Sequence, residues 1–551
     1  MSFFRQLLEI YNIPIFSKRK LLKKLRSDWL EPAQKWRDFS KIETFLKLSE
    51  GYHKQGTIDD KTWHDLGMNA IFSKIDTTLT EVGQQVLYRK LHLLDVEEAS
   101  LKQQYDFARE IETDQALREK LQTMLYPLSV LSVKSTVKLL FDRFQYSNIS
   151  KILAVGWVFL SIFILFCSVY FESRIFYILT FFIILANLFV VRPKYLDAID
   201  KSAYPLHCMN KMLIVARSFA TNKFSTIYLC GSIKDHHSSI RNTKWRLGLL
   251  LFSQSSDNFL ISYPMYLINL LIPIDTLVYV FLINSIDKNL DTLRLCFRML
   301  GELDANIALA SYTMRNPCHC NPTIVQAKRL SLENAYHPLV ENYVVNSFQT
   351  GGESALITGS NMAGKTTFIR TIGINVILSR TLWLCHADKA IVPIINVSSS
   401  ISNTDFLEEG KSYYFSELEY INKFLHLSQT EEHYLFLIDE IFRGTNTVER
   451  IGGAAAVLQV LAVKDVVLVT THDIELERFL YERYEMWHFQ ETGKKEVPFD
   501  YKIRPGVCRT KNAIKLMKDM GYPDYIINRA KAIASEMEEQ YAAPVQISKS
   551  G

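Results

Sequence analysis

The sequence has little net charge, few cysteines and no internal repeat. Its 551 residues carry a formal net charge of only +5, so composition alone does not require a nucleic-acid partner. Its eight cysteines are scattered, which is typical of a reduced cytosolic protein and not of a disulfide-bonded secreted one. The N-terminus, MSFFRQLLEIYNIPIF, has no apolar segment followed by small residues, so we expect no cleaved signal.

Charge is absent from two long runs, residues 152–171 and 175–191. A membrane-spanning helix needs roughly 20 apolar residues, with a lower limit of about 17, and both runs qualify. Lysines and arginines flank the pair on both outer sides, which places both flanks in the cytoplasm under the positive-inside rule. The sequence therefore predicts a transmembrane helical hairpin over 151–192, in the inner (cytoplasmic) membrane. The alternative is a buried core hairpin of a soluble domain.

The segments on either side of this hairpin differ in composition. Residues 1–47 form a basic arm with eleven Lys/Arg and five Asp/Glu. Within it, SKRKLLKKLR (17–26) is either a solvated helix face or a surface that contacts a membrane or phosphates. Helical periodicity predicts a core in two halves, 48–150 and 193–325. The apolar stretch 259–286 is interrupted by prolines, an asparagine and an aspartate, so we interpret it as a buried core helix; contact with the membrane is the alternative.

The pattern changes over residues 326–535, where short apolar strands alternate with helices. That alternation predicts a parallel sheet, and a polar tail follows at 536–551. Three of the predicted strands end in chemically distinctive residues. They lie in ALITGSNMAGKTTFIRTIG (355–373), HYLFLIDEIFRGTNT (433–447) and VVLVTTHDIEL (466–476).

The first of these stretches fits the nucleotide-binding pattern G-x-x-x-x-G-K-[ST], with Gly359, Gly364, Lys365 and Thr366. The glycines let backbone N–H groups curl around phosphate oxygens at a helix N-terminus. Lys365 supplies a charge for the β- and γ-phosphates, and the Thr366 hydroxyl is a ligand for Mg²⁺. We therefore predict a P-loop that binds ATP and Mg²⁺ through residues 359–367, namely Gly359, Ser360, Asn361, Met362, Ala363, Gly364, Lys365, Thr366 and Thr367.

The other two strands end in candidate catalytic groups. Asp439 is predicted to hold Mg²⁺, and Glu440 to orient or deprotonate the attacking water. His472 follows the third strand, where a histidine can sense the γ-phosphate; an isolated histidine is also often structural. Together with Lys365, these groups form the predicted catalytic set of an ATPase.

The order of the motifs TGSNMAGKTT, EEGKSYYFSELEYI, DEIFRGTNT and TTHD resembles the MutS mismatch-repair family. YHPLVENYVVN (336–346) and GELDANIALAS (301–311) are similar to segments that precede the family's P-loop. An earlier stretch, DDKTWHDLGMNAIFSKIDTTLTEVGQQVLYRKL (59–91), resembles part of its core domain. The similarity implies an α/β P-loop (ABC-type) ATPase domain, a mostly helical MutS-like core domain and, in this member, a two-helix transmembrane hairpin.

The resemblance also implies roles for individual residues. Two ATPase domains would pair head to tail as a homodimer, and Ser412 in GKSYYFSEL would reach the γ-phosphate held by the other subunit. Asn361 would contact the γ-phosphate. Tyr343 stands in the place of the aromatic residue that stacks on adenine, and Tyr501 would cover the same base from the other side. Both tyrosines are also suited to core packing.

Several features depart from the family. Ala363 and Phe442 replace glycines and Asn446 replaces a serine, although none of these changes removes a catalytic atom. The roughly fifty residues before the core contain no F-x-E wedge, which puts mismatch recognition in doubt. SIKDHHSSIRNTKWR (232–246) is interpreted as a surface loop. CHC at 318–320 has no second metal-binding pair nearby, so we expect no zinc there.

The sequence thus predicts a truncated MutS-like ATPase tethered to the membrane, with its ATPase domain on the cytoplasmic side. Its expected ligand is double-stranded DNA, bound through phosphates without sequence specificity. The alternative is a membrane-associated ATP-driven switch that acts on a protein or lipid partner without DNA. Half of an ABC transporter fits poorly, because no LSGGQ-type run is present.

Overall fold

The structure is a computed structural model with two compact units. One unit comprises residues 1–57 and 72–317, and the other comprises 58–71 and 318–551. The described residues are 18–31, 36–49, 56–142, 148–221, 238, 240–241, 267–360, 363–401, 413–442, 444–491, 499–507, 517 and 520–542. The start of the predicted basic arm, most of the predicted loop 232–246 and the end of the predicted polar tail lie outside these residues. The six-segment division inferred from the sequence stays a prediction.

The described part of the first unit is built from α-helices. In chain order, the helices before residue 318 are α1 (Lys18–Asp28), α2 (Phe39–Ile42), α3 (Thr44–Leu48), α4 (Asp60–Asp65), α5 (Met68–Ile75), α6 (Glu81–His92), α7 (Glu98–Thr113), α8 (Gln115–Leu125), α9 (Lys134–Phe141), α10 (Asn148–Phe171), α11 (Arg174–Ala186), α12 (Arg192–Thr221), α13 (Ile274–Lys288) and α14 (Leu290–Arg315). Of these, α4 belongs to the second unit, and the boundary at residues 71/72 falls within α5.

The packing of α6 against α14 organises the first unit. A Cβ on Gly83 of α6 would lie 2.3 Å from Asp304 Oδ2, so only glycine permits this close approach. The buried Asp304 carboxylate accepts hydrogen bonds from Leu79 N at 2.9 Å, Thr80 N at 2.8 Å and the Thr80 hydroxyl at 2.6 Å. Thr80 in turn caps α6 by accepting from Gly83 N. Hydrogen bonds to the buried Asp304 side chain therefore hold the start of α6 against the middle of α14.

Helix α1 is amphipathic, as the spacing of its leucines predicts. Leu21, Leu25 and Trp29 are buried, whereas the cations on its other face are exposed. Those exposed cations are Arg19, Lys20, Lys23 and Lys24. At its end, Arg26 pairs with Glu119 of α8 at 2.6 Å. The basic face is thus turned to solvent.

The predicted hairpin is present as two adjoining helices, α10 and α11, which pack against each other. α11 ends at Ala186, and a π-helical turn follows at Asn187–Val191. At that turn the buried Asn187 side chain accepts from Trp157 Nε1 at 2.7 Å and donates to the Leu270 carbonyl at 3.0 Å.

The membrane-spanning character predicted for 152–171 and 175–191 is not supported by these helices. Within the described part of the chain, none of the helices combines the length and the apolarity needed to cross a membrane. Helix α11 has 13 residues and is followed directly by the π-helical turn and by α12.

The apolar stretch 259–286 contains a core helix where it is described. Helix α13 begins after Pro273, and its Tyr279, Ile283 and Ile286 side chains are buried. Residues 259–266 lie outside the described residues. The interpretation of this stretch as core is therefore confirmed for α13.

The described part of the second unit contains two sheets, of which the alternating pattern predicted the parallel one. Its strands are β1 (Thr323–Val325), β2 (Leu330–Ala335), β3 (Asn346–Thr350), β4 (Ser354–Thr358), β5 (Lys389–Pro393), β6 (Asn396–Ser400), β7 (Tyr434–Asp439), β8 (Val466–Thr471), β9 (Tyr484–Glu491) and β10 (Phe499–Pro505). Its remaining helices are α15 (Lys365–Leu382), α16 (Tyr413–Ser428), α17 (Thr447–Leu461), α18 (Glu477–Leu480) and α19 (Asp524–Ala542). The four-stranded sheet has the order β1-β5-β2-β3, and the six-stranded sheet has the order β10-β9-β4-β8-β7-β6.

The larger sheet is parallel from β9 to β6, with β10 antiparallel at its edge. All residues of β4 and β8 are buried, as expected for strands covered on both faces. In this register Thr358 lies opposite Thr471, and Asp439 lies opposite Thr470. The three strands predicted to carry chemistry are therefore neighbours, and they end at one edge of the sheet.

Helix α4 reaches this sheet from far away in the sequence. The buried Asp65 carboxylate accepts from the Ser399 hydroxyl at 2.9 Å and from Ile401 N at 2.8 Å. Asp59, the N-cap of α4, accepts from Lys423 Nζ at 3.0 Å. Burial opposes the ionisation of Asp59, but the Lys423 charge and the Thr62 amide outweigh it and lower the pKa of that carboxyl. The end of β6 and helix α16 are thus held by the same short helix.

Candidate nucleotide-binding site

The loop between β4 and α15 has the conformation that its glycines permit. Gly359 has φ +145°, and a Cβ there would lie 2.8 Å from the Phe489 carbonyl oxygen. Gly364 has φ +100° and directly precedes α15, where a side chain would crowd Tyr501. Both glycines therefore occupy positions that other residues strain to adopt. Asn361 and Met362 lie outside the described residues, and Ala363 is buried.

Lys365, the first residue of α15, directs its ammonium group into this loop. Its Nζ donates to the carbonyl oxygens of Gly359 at 2.7 Å and Ser360 at 3.0 Å. It also lies 3.2 Å from His472 Nε2. The side chain is 5% exposed, so a buried positive charge stands where the pattern places the phosphate-binding lysine.

Thr366 and Asp439 meet at the ends of α15 and β7. The Thr366 hydroxyl donates to Asp439 Oδ2 at 2.9 Å, and the Thr470 hydroxyl donates to the other carboxylate oxygen. A hydroxyl and a carboxylate are oxygen ligands of the kind that Mg²⁺ prefers, with phosphates and water completing its coordination. This pair therefore suits the predicted Mg²⁺ site, to which α15 contributes Thr366 and β7 contributes Asp439.

Glu440 and His472 are paired next to Lys365. His472 Nε2 lies 2.9 Å from Glu440 Oε1, so one imidazole nitrogen is within hydrogen-bonding distance of both the carboxylate and the lysine. Glu440 has φ +57°, a left-handed conformation that costs a non-glycine residue about 1–2 kcal/mol. Its amide donates to the Thr470 carbonyl at 3.0 Å, which helps to hold this conformation. The three predicted catalytic residues are thus in one contact chain.

The loops beyond β7 and β8 are supported by pairs that sequence reasoning did not identify. Arg450 of α17 binds the Asp473 carboxylate with two hydrogen bonds, at 2.8 and 2.7 Å, and so fixes the residue after His472. Phe442, with φ +61°, donates its amide to the buried Glu417 of α16. An arginine, an aspartate and a glutamate at such positions carry no local signal, because their partners are distant in sequence.

A cavity of about 470 Å³ joins these groups to the predicted aromatic residues. It is lined by loop and helix residues Ser360, Gly364, Lys365, Thr366 and Thr367, by Glu440, and by Tyr343 and Tyr501 among others. Ligand pockets for small molecules commonly have volumes of about 300–1,000 Å³. The cavity therefore has the size for a nucleotide. Its lining includes a lysine, two threonines and two tyrosines, which are suited to phosphates and to a base.

The two tyrosines are positioned by neighbours that the sequence analysis did not single out. Tyr343 stacks on Tyr336, with ring centroids 4.1 Å apart and planes 17° from parallel. Tyr501 has φ +55°, and the Asn346 side chain donates to its carbonyl oxygen at 2.9 Å. Both rings are partly exposed, at 40% and 47%. Tyr336 and Asn346 begin and end the YHPLVENYVVN stretch, so its composition offered a signal for both.

Two of the three departures from the family pattern have a structural explanation. Asn446 is the N-cap of α17, where its side chain accepts from Glu449 N at 3.0 Å; asparagine and serine cap helices about equally well. Phe442 packs beside Tyr414, with ring centroids 6.3 Å apart. Nothing in the structure explains why alanine replaces glycine at Ala363. Ser412, expected to act across the dimer, lies outside the described residues.

Comparison with known proteins agrees with this geometry. The family model of MutS domain V matches residues 355–538. The chain is 30% identical over 258 residues to the DNA mismatch repair protein MutS of Thermus thermophilus, covering 45% of this chain and 31% of that protein. It is 27% identical over 279 residues to MutS of Clostridioides difficile, covering 48% of this chain and 29% of that protein.

A eukaryotic relative matches over a similar length. The DNA mismatch repair protein MSH3 of Phaeosphaeria nodorum is 28% identical over 277 residues, covering 47% of this chain and 24% of that protein. The match to MutS of Thermus thermophilus spans about a third of that protein's length. The matched domain contains Lys365, Thr366, Asp439, Glu440 and His472, which the structure brings to one edge of a parallel sheet. Residues 355–538 of the chain are thus identified as a domain of the MutS family, MutS domain V.

Proposed function

We propose that the protein is an ATPase that binds ATP with Mg²⁺ and uses hydrolysis to switch between two states of a homodimer. The observation that carries this proposal is the meeting of Lys365, Thr366, Asp439, Glu440 and His472 at the ends of three neighbouring strands. A buried cation, an oxygen pair suited to Mg²⁺ and a carboxylate held by a histidine are the groups that phosphoryl transfer to water requires.

Each group has a separate task in this mechanism. The Lys365 ammonium and the amides of the glycine loop bind the phosphates, while Tyr343 and Tyr501 flank the base. Thr366 and Asp439 would hold Mg²⁺, which would neutralise charge on the phosphate oxygens. Glu440 accepts a proton from the attacking water, and His472 orients its carboxylate.

The dimer is a proposal that rests on the family resemblance. In it, the γ-phosphate at one site is contacted by the partner's Ser412, so that both sites close when ATP binds. Hydrolysis removes that contact and lets the two sites open. Lys365 is hydrogen-bonded to the carbonyls of its own loop, so phosphate binding would exchange those bonds for phosphate contacts.

The substitution Glu440→Ala tests the assignment of the catalytic base. ATP binding should be unchanged within about twofold, and hydrolysis should fall at least about 100-fold, because a positioned general base contributes roughly that much. Calorimetric titration with ATP and a phosphate-release assay measure the two quantities. The control is Glu431→Ala, an exposed acid in the turn before β7, which should hydrolyse ATP normally. Normal turnover by Glu440→Ala would refute the assignment.

We propose that the ligand moved by this switch is double-stranded DNA, bound through its phosphates. The relatives are named DNA mismatch repair proteins, but the chain spans less than a third of the length of those compared above. Four exposed cations on one face of α1 provide a positively charged surface of the required kind. Mismatch recognition is not part of the proposal, which concerns phosphate contacts alone.

Binding to perfect and mismatched duplexes over a salt series tests the DNA proposal. We expect equal affinity for both duplexes and an affinity that falls as salt rises. Each phosphate contact contributes about −0.9 to the slope of the logarithm of the binding constant against the logarithm of the salt concentration. Replacing Arg19, Lys20, Lys23 and Lys24 by alanine should make the dependence of affinity on salt shallower. The control is Lys102→Ala, on α7, which should leave that dependence unchanged. A preference for mismatches would overturn the non-specific mode. Absence of binding at low salt would instead favour a switch that acts on a protein or lipid.

We further propose that the hairpin of α10 and α11 holds the protein at the inner (cytoplasmic) membrane, with the ATPase domain on the cytoplasmic side. Large apolar side chains are exposed along both helices: Phe159, Phe163, Phe166, Tyr170, Phe171, Ile175, Ile178, Phe181 and Phe182. Contiguous apolar surface of this kind is rare on soluble monomers and is typical of membrane or protein contact. The aromatic residues supply the apolar area that a bilayer would cover.

Flotation with lipid vesicles tests the membrane proposal. The protein should float with the vesicles, and the triple substitution Phe159→Ser, Phe163→Ser and Phe166→Ser should abolish flotation because it removes exposed apolar area. The matched control replaces the same three residues by leucine and should still float. Wild-type protein that stays at the bottom of the gradient would contradict the proposal.

A further inference from the structure

Cys320 and Cys385 face each other across a short antiparallel bridge in the second unit. Cys320 N donates to the Cys385 carbonyl at 2.8 Å, and Cys385 N donates to the Cys320 carbonyl at 2.9 Å. A reciprocally bonded pair of this type has Cα atoms about 5.5 Å apart. Disulfides commonly join Cα atoms separated by about 5.5–6 Å, so the backbone already has a suitable spacing.

The two thiols are in contact and differ in their environments. Interaction with the neighbouring Cys385 side chain lowers the pKa of the Cys320 thiol. Burial raises the pKa of Cys385 well above its usual value. Cys320 is only half-buried, whereas Cys385 is fully buried. Cys320 is therefore the accessible sulfur of the pair and the one whose ionisation is favoured, and Cys385 is a protected thiol beside it.

We propose that Cys320 and Cys385 form a reversible redox site that is oxidised to a disulfide by peroxide. The Cys320 thiolate attacks hydrogen peroxide to give a sulfenic acid and hydroxide, which takes up a proton to become water. The Cys385 sulfur then displaces water from the sulfenic acid and forms the S–S bond. In total, two thiols and one peroxide give one disulfide and two waters, and a dithiol reductant reverses the change.

The position of the pair connects it to the wall of the nucleotide cavity. Cys385 Sγ lies 3.5 Å from Asn375 Oδ1, which also accepts from His386 N at 2.6 Å. His386 Nδ1 lies 3.0 Å from the hydroxyl of Tyr336, the ring on which Tyr343 stacks. The disulfide would also close a loop that contains the glycine loop and α15. Oxidation would therefore restrain the segment that builds the site.

Peptide mapping of the peroxide-treated full chain tests the proposal. The Cys318→Ser variant is the working protein, because it removes the neighbouring exposed thiol. We expect a peptide pair joined through Cys320 and Cys385, a loss of two hydrogen atoms in mass, and reversal by dithiothreitol. The melting temperature should rise by at least about 3 °C on oxidation, since closing a long loop restricts the unfolded chain.

The double variant Cys318→Ser, Cys320→Ser is the matched control and should show neither the linkage nor the rise in melting temperature. Its substituted side chains are exposed or half-buried, so the fold should be kept. Two outcomes would overturn the proposal. In one, Cys320 is oxidised to a sulfinic acid without any linkage; in the other, Cys320 is linked to a cysteine other than Cys385.

Discussion

The parallel register of β4, β7 and β8 is the constraint on which the rest of the site depends. It sets Thr358 opposite Thr471 and Asp439 opposite Thr470, so the residues that follow these strands converge. Contacts of about 3 Å between Thr366 and Asp439, Lys365 and His472, and His472 and Glu440 then join the three strand ends. A slip of one residue in any strand would turn its side chains to the opposite face and break this chain of contacts.

The convergence is maintained against local backbone strain. Glu440 and Phe442 both have positive φ, a conformation that costs about 1–2 kcal/mol for each non-glycine residue. Amide hydrogen bonds to Thr470 and to the buried Glu417 offset this cost, and they tie the strained turn to β8 and α16. Helix α16 is held in turn by Asp59, the N-cap of α4, while Asp65 of α4 holds the end of β6. The strained turn is thus supported from two sides.

The residues at the strand ends could be identified from short local patterns in the sequence. The glycine loop and the strands ending at Asp439 and His472 could be identified because each pattern is short and each residue's role follows from its position. What was missed depends on contacts between distant segments. The bond between Arg450 and Asp473 and the bridge between Cys320 and Cys385 leave no periodicity in the sequence. The hydrogen bond between Trp157 and Asn187, thirty residues apart, likewise has no local signal.

The structure of the protein with a non-hydrolysable ATP analogue and Mg²⁺ tests the central claim most directly. We expect the terminal phosphate at Lys365 Nζ, with the lysine released from the Gly359 and Ser360 carbonyls, and the metal bound by Thr366 and Asp439. The base should lie between Tyr343 and Tyr501. A nucleotide bound elsewhere, or one that leaves Lys365 on its loop carbonyls and Asp439 without metal, would contradict the assignment of this edge of the sheet as an ATPase site.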